Sequence, residues 1–165
     1  MPNFDMEYLP FRSETLVLPY DASELQARLT KVIRPVRNKY QQKTGEDVDS
    51  SDHLFNGVFE NDEFTISRII KQPENFLPLI TGKIEATSVG CILFLKYRMF
   101  FSTNLFLGFW SVVTFLMTLL FVIGYNNYLY ATVCFGFGVV NYSIAVANFN
   151  IQVRQSKKLL NKVLN

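Results

Sequence analysis

Residues 99–153 read MFFSTNLFLGFWSVVTFLMTLLFVIGYNNYLYATVCFGFGVVNYSIAVANFNIQV and contain no charged side chain. A helix needs about 20 apolar residues to cross the ~30 Å hydrocarbon core of a bilayer. This stretch of 55 residues is therefore long enough for two crossings and a tight turn, which the polar cluster at residues 124–128 marks. We predict membrane helices near residues 101–123 and 129–149. The alternative, a helical hairpin buried in a soluble core, is disfavoured because 165 residues cannot cover two such helices on all sides.

The charges of the chain lie on the two sides of this stretch. All fourteen acidic residues fall in residues 1–98, where twelve basic residues leave a net charge of −2. The segment after the stretch carries four basic residues and no acid, so the whole chain has a net charge of +2. The positive-inside rule places Lys96, Arg98 and the basic tail on the cytoplasmic side. We expect an integral protein of the bacterial inner membrane with both termini in the cytoplasm.

Small and polar residues recur on one side of each predicted membrane helix. In the second helix their spacings of three and four residues place them on one stripe. Helices in lipid pack through small residues and interhelical hydrogen bonds, so we predict that the stripes form packing surfaces. The stripes either pack on each other within one chain or face further copies of it. The predicted packing residues are Asn104, Gly108, Ser111 and Thr118 in the first helix and Gly138, Asn141, Ala145 and Asn148 in the second.

The segment before the hairpin predicts a small sheet with one helix. Residues 13–19 form a β-prone run, and Asp21 with Glu24 three residues later is a typical helix start. Pro35 should end that helix near residue 34. Residues 54–70 and 77–97 each predict a pair of strands joined by a turn. The predicted fold class is an α+β membrane protein: a small antiparallel β-sheet or half-barrel of about five strands with one helix, followed by a two-helix transmembrane hairpin and an amphipathic C-terminal helix.

The last residues form a basic amphipathic tail. Its leucine and valine side chains group on one side and its lysines on the other. Such a segment either lies on anionic lipid headgroups or docks back onto the sheet, and the remaining alternative is an exposed, frayed end. The predicted domains are a cytoplasmic sheet domain at residues 1–98, the transmembrane hairpin at 99–150 and the tail at 151–165.

A repeated pattern of apolar and glycine positions occupies residues 55–84. It reads Phe55-x-Gly57-x-Phe59, then Phe64-x-Ile66-x-Arg68-x-Ile70, then Asn75-Phe76-x-Pro78-x-Ile80-x-Gly82-x-Ile84. This resembles a motif in a group of uncharacterised bacterial two-span membrane proteins, in which an N-terminal cytoplasmic sheet domain precedes a membrane hairpin and a charged tail. The resemblance covers residues 54–165 and departs from the group's pattern at residues 71–76. Because the function of that group is not established, the resemblance implies the architecture alone.

The sequence contains no pattern for catalysis or metal binding. The only histidine, His53, falls in a polar loop, and the two cysteines, Cys91 and Cys134, are far apart. Neither a zinc site nor a nucleophile–histidine pair can be assembled from these residues at a recognisable spacing. A glycine-rich phosphate loop is also missing. We therefore expect a protein that is not an enzyme and has no catalytic residue, metal or cofactor.

One cluster of charge suggests a ligand. Six basic residues between positions 28 and 43 follow one another without an acid, and three of them share one side of the predicted helix. Such a cluster can bind a nucleotide or anionic lipid headgroups. The alternative is a solvated face balanced by the acids nearby, and the small net charge does not favour DNA. The candidate ligand-binding residues are Arg28, Lys31, Arg34, Arg37 and Arg68.

Three functions fit these features. We favour a non-enzymatic, membrane-anchored sensor or effector, whose cytoplasmic domain binds a small anionic ligand or lipid and whose hairpins self-assemble into a homo-oligomer. Effectors of bacterial antiphage defence that answer cyclic nucleotides have this general make-up. The alternative is an accessory or structural subunit of a larger membrane complex, and the third hypothesis is a pore built from several hairpins. The spans contain no ionisable side chain, which argues against ion-coupled transport.

Overall fold

The computed structural model describes residues 11–36, 53–70 and 76–164. Within these ranges the chain forms six strands and three α-helices, of which the last two are long and apolar, with the strands before the apolar hairpin. The elements are β1 (Phe11–Leu18), α1 (Ala22–Val32), β2 (Ile33–Pro35), β3 (Phe55–Glu60), β4 (Glu63–Arg68), β5 (Pro78–Thr87), β6 (Gly90–Met99), α2 (Phe101–Leu119) and α3 (Tyr128–Leu164). A π-helical turn, Leu120–Gly124, extends α2. The α+β class predicted from the sequence is confirmed.

The strands form a sheet in the order β1-β6-β5-β4-β3-β2. Neighbouring strands are antiparallel except β2 and β3, which run parallel. The sheet is therefore mixed and open, with β1 and β2 at its two edges. It has six strands where about five were predicted, and the parallel pairing of β2 contradicts the prediction of an antiparallel sheet. The sequence pattern misses β2 because Pro35 suggests a helix as far as residue 34. Instead α1 ends at Val32, and Ile33 pairs with Phe55.

The sheet has an inner face that is covered by helices and an outer face that is not. Side chains alternate between the two faces along each strand. In β6, for example, Leu95 and Tyr97 are buried on the inner face, and Lys96 and Arg98 are exposed on the outer face. Helix α1 covers the inner face through its buried Leu25 and Leu29, together with the C-terminal part of α3.

Gly82 in β5 shows how closely this core is packed. It is paired with Phe64 of β4, and a β-carbon at Gly82 would overlap the Phe64 ring. The ring therefore occupies the space that a side chain on β5 would fill. Since the Phe64 side chain is only 1% exposed, the glycine is required by packing and not by backbone conformation.

Helix α3 continues through 37 residues, so the amphipathic tail is not a separate helix. Its first half belongs to the apolar hairpin, and its second half lies on the inner face of the sheet. Val153, Leu160 and Leu164 are buried in the sheet core. The hydroxyl of Tyr20 donates a hydrogen bond of 2.5 Å to the carbonyl of Leu164. The tail sequence leaves three alternatives open, and in the structure the tail docks onto the sheet.

Helices α2 and α3 form the predicted hairpin. Gly138 of α3 lies against Thr114 of α2, so closely that a β-carbon there would come within 2.8 Å of the threonine hydroxyl. In the turn, Asn126 adopts a left-handed conformation with φ of 48°, and the Oδ1 atom of Asn127 accepts a hydrogen bond from the backbone of Tyr130. Two helical segments, Phe101–Gly124 and Tyr128–Leu164, are long and apolar enough to cross a bilayer.

Candidate functional site

The described basic residues that the sequence proposes as one ligand site lie on three elements, α1, β2 and β4. On α1, Arg28 forms an ion pair of 2.8 Å with Glu24 and lies 4.7 Å from the centre of the Tyr20 ring. Lys31 is exposed on the same helix. Arg34 lies on β2, and Arg37 lies outside the described residues. Ligand binding by this set stays a prediction.

Arg68, the fifth candidate, connects the sheet to α3. It lies at the end of β4 on the inner face, paired with the buried Phe55. Its guanidinium donates hydrogen bonds of 2.6 Å to the amide oxygens of Gln152 and Gln155. Charge-assisted hydrogen bonds of this length are among the stronger polar contacts in proteins. Arg68 is thus part of a contact between sheet and helix.

Further polar contacts join the sheet to α3. We call the polar groups between the inner face and residues 152–157 of α3 the helix–sheet junction. The ammonium of Lys157 donates a hydrogen bond of 2.6 Å to the carboxylate of Glu14 on β1. Ser156 is fully buried beside it along α3. Glu14 lies on the edge strand β1 and Arg68 on β4, which is three strands away in the sheet order, so the helix contacts well-separated strands of the sheet through polar groups.

Tyr97 is a buried aromatic residue of the inner face. Its side chain is fully buried, and among the described residues its hydroxyl has no hydrogen-bond partner. Burial raises the pKa of the phenol well above its ordinary value of 10.0, and the negative charge of Glu14 raises it further, against a smaller opposite effect of Arg12. The phenol is therefore neutral at physiological pH.

The outer face carries a shallow cavity of about 420 Å³ that the sequence did not indicate. It spans β5 and β6, and Lys83, Lys96 and Arg98 supply its positive charge. Glu63 and Glu85 also line the cavity. The carboxylate of Glu85 accepts a hydrogen bond of 2.8 Å from Lys83. That contact raises the pKa of the Lys83 ammonium. In β6, Lys96 and Arg98 alternate with apolar residues. This alternation predicts that the two basic side chains lie on the same face of the sheet.

The predicted packing residues of the hairpin divide into two groups. Gly138 contacts Thr114, and Ala145 is only 3% exposed, so both lie between the helices. The hydroxyls of Ser111 and Thr118 donate hydrogen bonds of 2.8 Å to carbonyls one turn earlier in α2. Asn141 is half-buried. The members exposed on the single chain are Asn104, Gly108, Ser111 and Asn148. Packing of the second group against further copies stays a prediction.

The described residues hold no group of three histidine, cysteine or acidic side chains that could bind a metal ion. His53 is half-buried, and Cys91 is buried with a pKa raised by burial. The helix–sheet junction and the outer cavity are two polar features of the described residues.

No family model, curated protein or solved structure matches the chain.

Proposed function

We propose that this chain is a two-pass membrane protein that acts as a sensor or effector, without catalysis. Its sheet domain binds an anionic ligand or lipid, and its hairpins self-assemble in response. The observation that supports this proposal is the single helix α3, which belongs to the hairpin in its first half and to the core of the sheet domain in its second half.

Helix α3 is a stiff connection between the hairpin and the sheet domain. A helix of 37 residues is about 55 Å long at 1.5 Å per residue. About 30 Å of that length spans the hydrocarbon core, and the remainder lies on the sheet. A flexible linker would let the sheet domain move without effect on the hairpin. A continuous helix held by buried Val153 and Leu160 at one end instead transmits a rotation or tilt of the domain to the membrane.

The proposal is tested by the size of the assembly in mild detergent, measured by mass photometry. The probes are phosphatidylglycerol, a cyclic mononucleotide and a cyclic dinucleotide, each added to the full chain. We expect one probe to change the assembly size, and we expect that change to disappear when four glycines are inserted between Asn150 and Ile151. A matched insertion of the same four glycines into the turn after Gly124 should retain the response.

Two results would overturn the proposal. One is an assembly whose size none of the probes changes. The other is a single copy of the chain that copurifies with a different protein in fixed ratio, because that is the behaviour of an accessory subunit.

A further inference from the structure

On the outer face of the sheet, basic residues lie nearest to the hairpin and acidic residues lie further from it. We define the hairpin end of the sheet as the end at which β6 leads into α2, and the far end as the opposite one. Strand pairing places Arg34 and Arg98 at the same level, through the chain of partners Asn56, Ser67 and Leu79. This level is the one nearest to the hairpin end.

The other charges of this face follow at increasing distance. Lys96 lies one level further, paired with Thr81. The next level contains Glu63 paired with Lys83, and Glu85 lies beyond it, paired with Ile92. Among the described residues of the outer face, the charged side chains of the two levels nearest to the hairpin are therefore all basic, and the acids lie further away.

From this arrangement we infer that the hairpin end of the outer face rests on anionic headgroups of the same bilayer that holds the hairpin. The inference rests on the membrane location in the proposed function. Lys96 and Arg98 are its main contacts, and the ligand class is the phosphate of an anionic phospholipid.

The distances along the chain agree with this placement. Arg98 precedes the first residue of α2 by three residues, which is about 10 Å of strand at 3.3 Å per residue. Lys96 lies about 7 Å further. The headgroup layer adds about 5–8 Å to each side of the hydrocarbon core. The Arg98 backbone thus lies about 2–5 Å beyond the headgroup layer, within reach of its long side chain. The Lys96 backbone lies about 9–12 Å beyond the layer, a distance comparable to the Debye length of ~8 Å at physiological salt.

Two exposed aromatic side chains lie at the same end. Phe11 pairs with Arg98 across the β1–β6 ladder and is 56% exposed. Phe101, at the start of α2, is 72% exposed. Apolar side chains next to basic ones are typical of surfaces that sit in the headgroup and acyl boundary, where the rings are removed from water. The exposure of both rings is explained by contact with the bilayer.

A planar layer of headgroups fits this face better than a small soluble anion in the outer cavity. A soluble anion bound there would lie beside the carboxylates of Glu63 and Glu85, which line the same cavity. A bilayer surface meets only the hairpin end, so it contacts the basic levels and leaves the acids in water. On the inner face, by contrast, Arg68 and Lys157 are engaged by groups of the chain itself.

The inference is tested by the anionic lipid that stays on the chain after extraction from membranes. The full chain is reconstituted in phosphatidylcholine with 30% phosphatidylglycerol, extracted in mild detergent and examined by native mass spectrometry. The test variant is Lys96→Gln with Arg98→Gln. The matched control is Lys158→Gln with Lys162→Gln, which removes the same charge from exposed positions on α3.

Each basic residue near an anionic surface contributes about fivefold to lipid affinity, so we expect roughly 30-fold weaker retention of phosphatidylglycerol in the test variant. The control should retain more lipid than the test variant, because Lys162 lies near the far end. A second variant, Lys96→Arg with Arg98→Lys, keeps the charge and should retain the lipid, which separates loss of binding from loss of folding.

Equal lipid retention by the test and control variants would overturn the inference. Displacement of the lipid by millimolar inorganic phosphate would also overturn it, since that result indicates a site for a soluble anion. Failure of this inference can be distinguished from failure of the proposed function. If the probes change the assembly size in the Lys96→Gln, Arg98→Gln variant as in the unmodified chain, the sensor proposal stands and the headgroup contact is not part of it.

Discussion

The docking of α3 on the sheet can be measured by truncating one side chain, Leu160. This residue has no solvent-exposed surface and packs in the core shared by the sheet, α1 and α3. Replacement of a buried leucine by alanine removes transfer free energy and leaves a cavity, which costs about 2–5 kcal/mol. Domains of this size have a free energy of unfolding of about 5–15 kcal/mol. Leu160→Ala should therefore remove a large part of the stability of the sheet domain.

The assay is urea unfolding of the full chain in mild detergent, followed by far-ultraviolet circular dichroism. With a dependence of about 2 kcal/mol per molar urea, the midpoint should fall by about 1–2.5 M. The matched control is Lys158→Ala, an exposed position on the same helical segment, which should change stability by less than about 0.5 kcal/mol. The reasoning is refuted if Leu160→Ala and Lys158→Ala have the same midpoint, because the tail would then not lie in the core.

Three further predictions concern single side chains of the sheet. Gly82→Ala should lower the free energy of unfolding by about 1–3 kcal/mol, because the new methyl group overlaps the Phe64 ring. Adding Phe64→Leu to the same chain should restore part of that stability. Thermal unfolding of the single and double variants measures both effects. Tyr97 has a raised pKa in the folded state, so the folded chain keeps a proton that the unfolded chain loses above pH 10. Stability should therefore fall as pH rises above 10, and Tyr97→Phe should make that fall shallower in pH-dependent unfolding. Cys91 is buried with a raised pKa, so its alkylation at pH 8 should be slow until the sheet unfolds; fast labelling of the folded chain would contradict its burial.

Several elements of the fold follow from local pattern. The alternation of Ile80, Gly82 and Ile84 with polar residues predicts β5 and its two faces, and the structure has that strand. The charge-free stretch at residues 99–153 predicts the helical hairpin for the same reason, since composition and length are local properties. Such features can be predicted because the residues that determine them are adjacent in sequence.

The features that could not be predicted depend on contacts between distant residues. The amphipathic tail has an apolar side that either lipid or the sheet can cover, so its own sequence does not identify the partner. The hydrogen bonds from Arg68 to Gln152 and Gln155 join residues more than 80 positions apart. The positions of the charges on the outer face depend on the register of the five strands β2 to β6, including the short β2 that the sequence pattern misses.

The continuity of α3 is the central claim, and hydrogen exchange tests it most directly. The full chain is placed in lipid nanodiscs, and exchange is followed peptide by peptide from Tyr128 to Leu164. We predict unbroken protection through residues 149–156, because the helix passes from the hairpin to the sheet without a break and is held there by buried Val153 and Ser156. Fast exchange confined to residues 149–156, between two protected segments, would show a hinge and contradict the account.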